Sequence, residues 1–95
     1  AALLGAEAHR RADVDAFLIA AHAAATRLAG ADVEVFAPVP ALLARRAGFE
    51  RSQLVVQSAH RPSLQRFLAQ WVAALAALPG RRIRWALDVD PTSFG

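Results

Sequence analysis

The chain has 95 residues, enough for one domain, and its 56% apolar content excludes a disordered protein. It contains no cysteine, which excludes disulfides, thiolate metal sites and cysteine nucleophiles. No segment has the length and flanks of a membrane span, and residues 1–10 lack the basic start of a signal peptide. We therefore expect a cytoplasmic protein with no membrane partner.

Charge is distributed unevenly along the chain. The net charge is +3, but residues 45–84 contain eight arginines and one acid, Glu50, which gives this segment a net charge of +7. Residues 1–44 contain three arginines and five acids, and residues 85–95 contain two more acids. The clustering predicts that one half of the domain is a cationic surface that binds a polyanionic or acidic partner.

The first predicted elements are a strand and a helix. Residues 1–8 (AALLGAEA) form a short apolar run that favours a strand. The helix that follows has Asp13 as its predicted N-cap and Gly30 as the residue that ends it. Its core-facing residues repeat at helical spacing and are Val14, Phe17, Leu18, Ala21, Ala25 and Leu28.

Two further strands are predicted in the middle of the chain. The alternation in DVEVFAPVP indicates a strand with Val33 and Val35 on its inner side, which the two prolines stop or confine to a sheet edge. PALLARRAGFE favours either a short helical turn or the tip of a long hairpin that turns at Gly48. RSQLVVQS predicts a strand that directs Leu54 and Val56 to the core.

The last predicted elements are a helix and a strand. Proline is favoured in a first helical turn, so Pro62 indicates a helix that begins near Arg61. Its predicted core stripe is Leu64, Phe67, Leu68, Trp71, Leu75 and Leu78. RRIRWALDV then predicts a strand. The order β-α-β-β-α-β predicts an α+β fold of the split β-α-β, ferredoxin-like kind, with two helices on one face of a four-stranded, mainly antiparallel sheet.

Several possible chemical sites have little support in the sequence. Asp88 and Asp90 in WALDVDP could reach one cation, but a hard metal needs about six oxygen ligands and no third carboxylate is near in sequence. A structural role as strand end and turn is the expected alternative. His9, His22 and His60 lack zinc-binding spacing, and no phosphate-binding glycine motif occurs. We expect no catalytic residue, metal or cofactor in this chain.

RNA-recognition modules share the predicted topology. They stack bases on aromatic side chains of their central strands. Here the two corresponding runs, AALLGAEA and RSQLVVQS, contain no aromatic residue, and Phe49 lies only at the margin. Trp71 and Trp85 fall on the predicted core faces, where packing is their expected role. The sequence therefore disfavours this alternative.

The stretch QSAHRPSLQ carries the clearest candidate binding site. A helix N-terminus attracts anions through its unpaired N–H groups and partial positive charge. Arg61 at this position opposes the dipole, and Gln65 follows one turn later on the same helix face. Binding of a carboxylate by these two side chains would explain the arginine, whereas the alternative is an arginine that simply extends into solvent.

Three ordered segments resemble the C-terminal domain of the PriA family, the primosomal protein N′ of bacterial replication restart. They are VFAPVPALLAR, QLVVQSAHRPSLQRFL and RWALDVDP, and the resemblance covers essentially residues 1–95. It implies a single C-terminal domain excised from a larger ATP-dependent DNA helicase that moves 3′ to 5′. It also implies a fold similar to a small-ribosomal-subunit protein, and a location on the nucleoid in the bacterial cytoplasm.

The resemblance further implies partners and site residues. ATP, magnesium and zinc would be bound by other domains of the parent helicase, which this domain would also contact. The domain would bind branched or forked DNA, with the phosphates contacted by Arg45, Arg46, Arg51, Arg81, Arg82 and Arg84. Arg61 and Gln65 match the family residues that dock the acidic C-terminal tail of single-stranded DNA-binding protein. The chain departs from some relatives at Pro62 and Ser63, where others carry a basic residue.

Two alternatives remain open at this point. One is a stand-alone RNA-binding or ribosomal-type module of the same fold. The other is a structural docking domain whose arginines contact acidic surfaces of its own parent chain.

Overall fold

A computed structural model describes residues 1–80 and 82–89, except for the side chains at positions 42 and 43. Within these residues the elements are β1 (Ala2–Ala8), α1 (Arg11–Leu28), β2 (Glu34–Val35), β3 (Val39–Arg46), β4 (Phe49–Gln57), α2 (Arg61–Ala77) and β5 (Arg84–Val89). The predicted α+β class is confirmed. No helix in the described part of the chain is long and apolar enough to cross a membrane.

The strands form one sheet in which every described pairing is antiparallel. β1 lies between β4 and β5, and both β2 and β3 pair with the other side of β4. Because β4 separates β1 from β2, the two strands that α1 connects, the predicted split β-α-β arrangement is confirmed. The described sheet has five strands rather than the expected four.

The additional strand arises where DVEVFAPVP divides into two. Phe36 still donates its N–H to the carbonyl of Val55, at 3.0 Å, just after β2 ends. Pro38 has no N–H to continue the ladder, and pairing resumes with β3 at Val39. β3 contains Pro40 and pairs with β4 alone, so the expected confinement to a sheet edge is confirmed.

Both helices pack against the same face of the sheet. Alternate residues of β1 and β4 enter the core with the two predicted helix stripes, while Leu28 and Leu78 lie partly buried at its margin. The largest fully buried side chains are Trp71, Leu4, Leu18, Leu54, Leu75, Val14 and Val56. Trp71 donates its indole N–H to the carbonyl of Ala21, at 3.0 Å, and so joins α2 to α1 without leaving a buried polar group unpaired.

The ends of α1 confirm one prediction and correct another. Asp13 is not the N-cap, because the helix begins two residues earlier at Arg11 and its N-cap is Arg10. Asp13 lies instead in the first turn, where its negative charge complements the helix dipole. Gly30 follows the C-cap Ala29 as predicted, although its backbone is not in the left-handed region.

The PALLARRAGFE segment forms a hairpin, and the alternative of a helical turn is wrong. β3 and β4 are joined by a two-residue loop, Ala47 and Gly48, with φ of 52° and 83°. Positive φ at both loop positions is the combination that type I′ turns require, and it matches the twist of the flanking strands. The hairpin places Arg45 and Arg46 beside the start of β4.

Candidate binding sites at the two ends of the sheet

The candidate side chains lie at opposite ends of the sheet. β1 ends and β4 and β5 begin at one end, which we call the arginine end after its exposed residues Arg10, Arg46, Arg82 and Arg84. α2 begins at the other end, directly after β4, and we call residues 58–65 the α2 start. β4 has nine residues, so about 27 Å separates the two ends at ~3.3 Å per residue.

The arginine end collects residues from four elements. Arg46 pairs with Phe49 across the hairpin, and Arg84 begins β5 on the sheet face that the helices leave open. Arg82 lies in the turn before β5, and Arg10 is the N-cap residue of α1, with no capping bond from its side chain. Because all four side chains belong to exposed residues, this end presents a concentrated positive charge to solvent.

An aromatic pair lies among these arginines. The rings of His9 and Phe49 stack with their centroids 4.3 Å apart and their planes inclined by 24°. The guanidinium carbon of Arg84 lies 5.6 Å from the centre of the Phe49 ring, within the range of a cation–π contact. A cavity of about 490 Å³ opens here, lined by His9, Arg10, Asp13, Phe49, Arg82 and Arg84.

Arg45 and Arg51 are placed differently from the other predicted DNA-binding residues. Arg45 is next to Arg46 in a strand, so it points to the opposite face, where its Nε lies 3.3 Å from Glu50 Oε2. Arg51 is half-buried on the open face, and Glu7 lies directly opposite both Arg51 and Arg84 in the ladder. Arg81 lies outside the described residues.

The expectation that the arginines of residues 45–84 form one continuous cationic surface over half of the domain is therefore wrong. Arg61 and Arg66 lie on the solvent side of α2, Arg45 joins Glu50 on the helix side of the hairpin, and Glu7 interrupts the positive charge of the open face. Strand alternation separates residues that are neighbours in sequence, so the linear cluster divides among several surfaces. Exposed arginines remain concentrated at the arginine end.

Arg11 has a structural role at the same end. Its Nε donates to Glu50 Oε1 at 3.3 Å, its Nη1 donates to Ser52 Oγ, and its Nη2 donates to the carbonyls of Ala44 and Arg51, each at 3.3 Å. One guanidinium thus fixes both strands of the β3–β4 hairpin to the start of α1. It therefore holds the hairpin strand whose last residue is Arg46.

The α2 start is braced by neutral hydrogen-bonding side chains. Ser58 Oγ accepts the backbone N–H of His60 at 3.0 Å, and Ser63 Oγ lies 2.8 Å from His60 Nδ1. Ser63 also donates to Asp32 Oδ2 at 3.0 Å, which joins the first turn of α2 to the connection after α1. His60 is the N-cap residue, but its side chain does not cap the helix.

Arg61 and Gln65 are brought together as the sequence predicts. α2 begins at Arg61 with Pro62 in its first turn, and both Arg61 and Gln65 are exposed one helical turn apart. Neither is covered by the core. The first turn of α2 itself contains no acidic residue, and the carboxylate beside it is that of Asp32, which accepts a hydrogen bond from Ser63.

Other predicted sites have different outcomes. Trp71 is fully buried, and Trp85 is partly buried beside Phe17, with ring centroids 6.3 Å apart, so both tryptophans pack as predicted. Asp88 is exposed near the end of β5, and Asp90 lies outside the described residues. Within residues 1–80 and 82–89, no three His, Cys, Asp or Glu side chains are grouped to hold a metal ion.

Sequence reasoning missed His9, Arg10 and Phe49 as members of the arginine end. Arg10 follows β1 in the HRR stretch, outside the arginine-rich segment, and Phe49 was considered only as a marginal position. The antiparallel register carried the missing signal: Ala8 pairs with Glu50, so the next residues outward, His9 and Phe49, meet at the sheet end.

A comparison with known protein families gives a match over most of the chain. The family described as the primosomal protein N C-terminal domain matches residues 1–92. The match includes both helices, every described strand, the arginine end and the α2 start. The chain therefore belongs to the C-terminal domain family of primosomal protein N, the PriA-like domains of the replication primosome.

Proposed function

We propose that this chain is a non-catalytic binding domain of a PriA-like replication-restart helicase, and that the arginine end binds branched DNA. The observation that supports this best is the convergence of Arg10, Arg46, Arg82 and Arg84 on one exposed end, where Asp13 is the acid in the lining of the cavity. Phosphates would be bound by these guanidiniums. ATP hydrolysis, magnesium and zinc would belong to other domains of the parent, which would act on the bacterial nucleoid.

The binding would depend on charge more than on base sequence. Each phosphate neutralised by an arginine releases condensed counterions, so affinity falls as salt concentration rises. Arg82 and Arg84 lie at the edge of the sheet near β5, and Arg46 lies across it on β3. Phosphates on two arms of a fork could therefore be contacted from both sides of this end.

Fluorescence anisotropy with forked and linear DNA at two or more salt concentrations tests the proposal. We expect tighter binding to the fork, and we expect Arg82→Ala with Arg84→Ala to lower the salt slope by about 1.5 to 2. Arg27→Ala is the matched control, because Arg27 is an exposed arginine in the last turn of α1, at the opposite end of the domain. Equal slopes for all three proteins would refute the assignment.

The same titration separates the two alternatives. A preference for structured RNA over forked DNA would favour a ribosomal-type RNA-binding module. Absence of binding to either nucleic acid, with retained binding to other domains of the parent helicase, would favour the structural docking domain.

We also propose that the α2 start binds the acidic C-terminal tail of single-stranded DNA-binding protein. Arg61 and Gln65 are exposed on one side of a helix start that has no acidic residue in its first turn. Arg61 would form a bidentate pair with the terminal carboxylate while Gln65 donates to the tail from the next turn. Neighbouring domains of the parent would supply the rest of the pocket, so the chain alone should bind the tail weakly.

Amide-shift mapping by NMR detects such weak binding. An acidic peptide that ends in Pro-Phe with a free carboxylate should shift the amides of residues 61–65, and Arg61→Ala should weaken binding about tenfold. Arg66→Ala is the matched control, because Arg66 is exposed on the same helix but lies beside the cavity with Asp32 and Gln70. Equal losses from both variants would indicate general charge attraction instead of this site.

A further inference from the structure

The His9–Phe49 stack, in which His9 is exposed and Phe49 is half-buried, is an aromatic feature of the arginine end that phosphate binding does not explain. Phosphates are contacted by guanidiniums and need no ring. His9 is nevertheless exposed and stacked on Phe49 at 4.3 Å, and Arg84 lies 5.6 Å from the same Phe49 ring. A planar ring that is exposed beside several cations is the arrangement that receives an unpaired nucleobase in single-strand-binding proteins.

The position of the stack decides which nucleic acid it could serve. Across the central part of the open face, β1 and β4 carry Leu3, Gly5, Gln53 and Val55, none of them aromatic, so a platform of the RNA-recognition kind is missing from the described face. The stack lies at the sheet end, outside the last paired residues of β1 and β4. It can therefore receive a base at a strand terminus or a junction, where a nucleotide is unpaired.

Arginines around the stack could bind the phosphates on either side of such a base. Arg10 lies next to His9 in sequence, and Arg82 and Arg84 line the same cavity of about 490 Å³. That volume is within the range of sites that hold a small molecule or a single nucleotide. Asp13 is the acidic residue in the lining and can accept a hydrogen bond from a base N–H group.

We propose that this cavity binds one unpaired nucleotide of single-stranded DNA, with the base stacked on the His9–Phe49 pair and its phosphates held by Arg10, Arg82 and Arg84. The inference rests on the proposed DNA binding at the arginine end and makes it specific. Arg46, the member of the arginine end outside this cavity, would contact duplex phosphates. The stack would recognise the single-stranded branch point of a fork. Recognition by stacking tolerates any base.

The experiment compares three fluorescent probes on the 95-residue chain: a short thymidine strand, the same strand made entirely abasic, and a duplex of equal length. The abasic strand keeps the phosphates and loses the rings. We expect the thymidine strand to bind about tenfold more tightly than the abasic strand, and His9→Ala to remove most of that difference. His22→Ala, on the second half of α1, is the matched histidine control and should retain it.

A second variant, at Phe49, tests the other ring of the stack without truncating the side chain to alanine. Phe49→Leu preserves an apolar side chain at the start of β4 and removes the ring, so it should reduce thymidine binding while leaving the abasic strand unaffected. Upfield shifts of the His9 and Phe49 ring protons on titration with the thymidine strand would show the contact directly.

The possible failures are distinguishable. Equal binding of the thymidine and abasic strands, with no effect of His9→Ala, would overturn the stacking site and leave the proposed phosphate binding intact. Absence of salt-dependent binding to any of the three probes would overturn the proposed DNA binding itself.

Discussion

At the arginine end, one arginine holds the fold while others face solvent, whereas at the α2 start two serines brace the helix, one of them through Asp32, and Arg61 is exposed. Arg11 fixes the β3–β4 hairpin to α1 through four donated hydrogen bonds, one of them to the carbonyl of Ala44, two residues before the exposed Arg46. At the α2 start, Ser58 and Ser63 provide the bracing, and Arg61 extends to the surface.

This difference shows why counting arginines along the sequence misjudges a surface. Arg11 lies outside the segment with the highest positive charge, and Arg45 inside that segment is paired with Glu50. A guanidinium that is paired with a carboxylate, as Arg11 and the exposed Arg45 are with Glu50, adds less net charge to the field that a DNA strand meets. The number of exposed guanidiniums at one place is the quantity that governs counterion release.

The largest effect that would sharpen the comparison is expected from Arg11→Met, which keeps the apolar stem and removes the guanidinium. Ser52, only 5% exposed, would lose its partner, and Glu50 would keep only its ion pair with Arg45. We expect the free energy of unfolding to fall by about 2 kcal/mol, less than for a fully buried pair because Arg11 is partly exposed. Urea denaturation measures it.

Arg27→Met is the control for that substitution. It removes an exposed arginine from the last turn of the same helix, where about 0.5 kcal/mol or less is expected. If both variants unfold at the same urea concentration, Arg11 does not hold the hairpin, and the division into structural and exposed arginines fails.

The elements of the fold could be predicted from the sequence where their residues follow a regular apolar pattern. The helices and the strands β1, β4 and β5 were predicted because their apolar periodicity reflects burial, and their core residues Leu54, Val56 and Trp71 are buried as expected. The division of β2 from β3 was missed, because the segment alternates continuously and only the missing N–H of Pro38 interrupts its pairing with β4.

The candidate sites were less readable, since they depend on register. Arg61 and Gln65 lie on one element, and helical spacing alone places them together. The arginine end needs the pairing of β1 with β4 and β5, which no local pattern specifies. His9 and Phe49 are forty residues apart and meet only because Ala8 pairs with Glu50. Sites within one helix are thus predictable where sites built across a sheet are not.

The next largest effect on stability is expected at Gly48, in the two-residue turn between β3 and β4. Gly48 has φ of 83°, and an added Cβ would meet nothing within 4 Å, so Gly48→Ala tests backbone conformation alone. We expect a loss of about 1 kcal/mol in the free energy of unfolding, because an L-residue resists the left-handed region.

Gly30→Ala is its counterpart near the α2 start. Gly30 also has open space around it, and its φ is outside the left-handed region, so the same substitution should be neutral or slightly stabilising. Calorimetric or urea unfolding of both variants provides the comparison. A similar loss at Gly30 would mean that the left-handed turn is not what makes Gly48 special.

A smaller effect is expected for Gln65→Ala on binding of the acidic tail peptide. Gln65 is exposed and offers one neutral hydrogen bond, whereas Arg61 offers a charged pair, so we expect about threefold weaker binding. Gln70→Ala is the control, since Gln70 is an exposed glutamine farther along the same helix. NMR titration resolves the difference. If Gln65→Ala weakens binding more than Arg61→Ala does, the carboxylate is not anchored by Arg61.

The smallest effect, and the most direct test of the comparison, is the energetic coupling between the two ends. They are separated by the length of β4, about 27 Å, and contributions at sites more than about 10 Å apart usually add. The affinity for forked DNA should therefore change by less than about twofold when the tail peptide is saturating. By linkage, the affinity for the peptide should change by the same small factor when DNA is bound.

Separate variants make this prediction stringent. Arg82→Ala with Arg84→Ala should weaken DNA binding and leave the peptide shifts of residues 61–65 unchanged, while Arg61→Ala should do the reverse. Anisotropy for DNA and NMR for the peptide report the two events independently. A change of more than about fivefold in either cross-titration would exceed what additive sites allow. It would mean either that DNA and tail compete for one surface or that the sheet transmits binding from end to end.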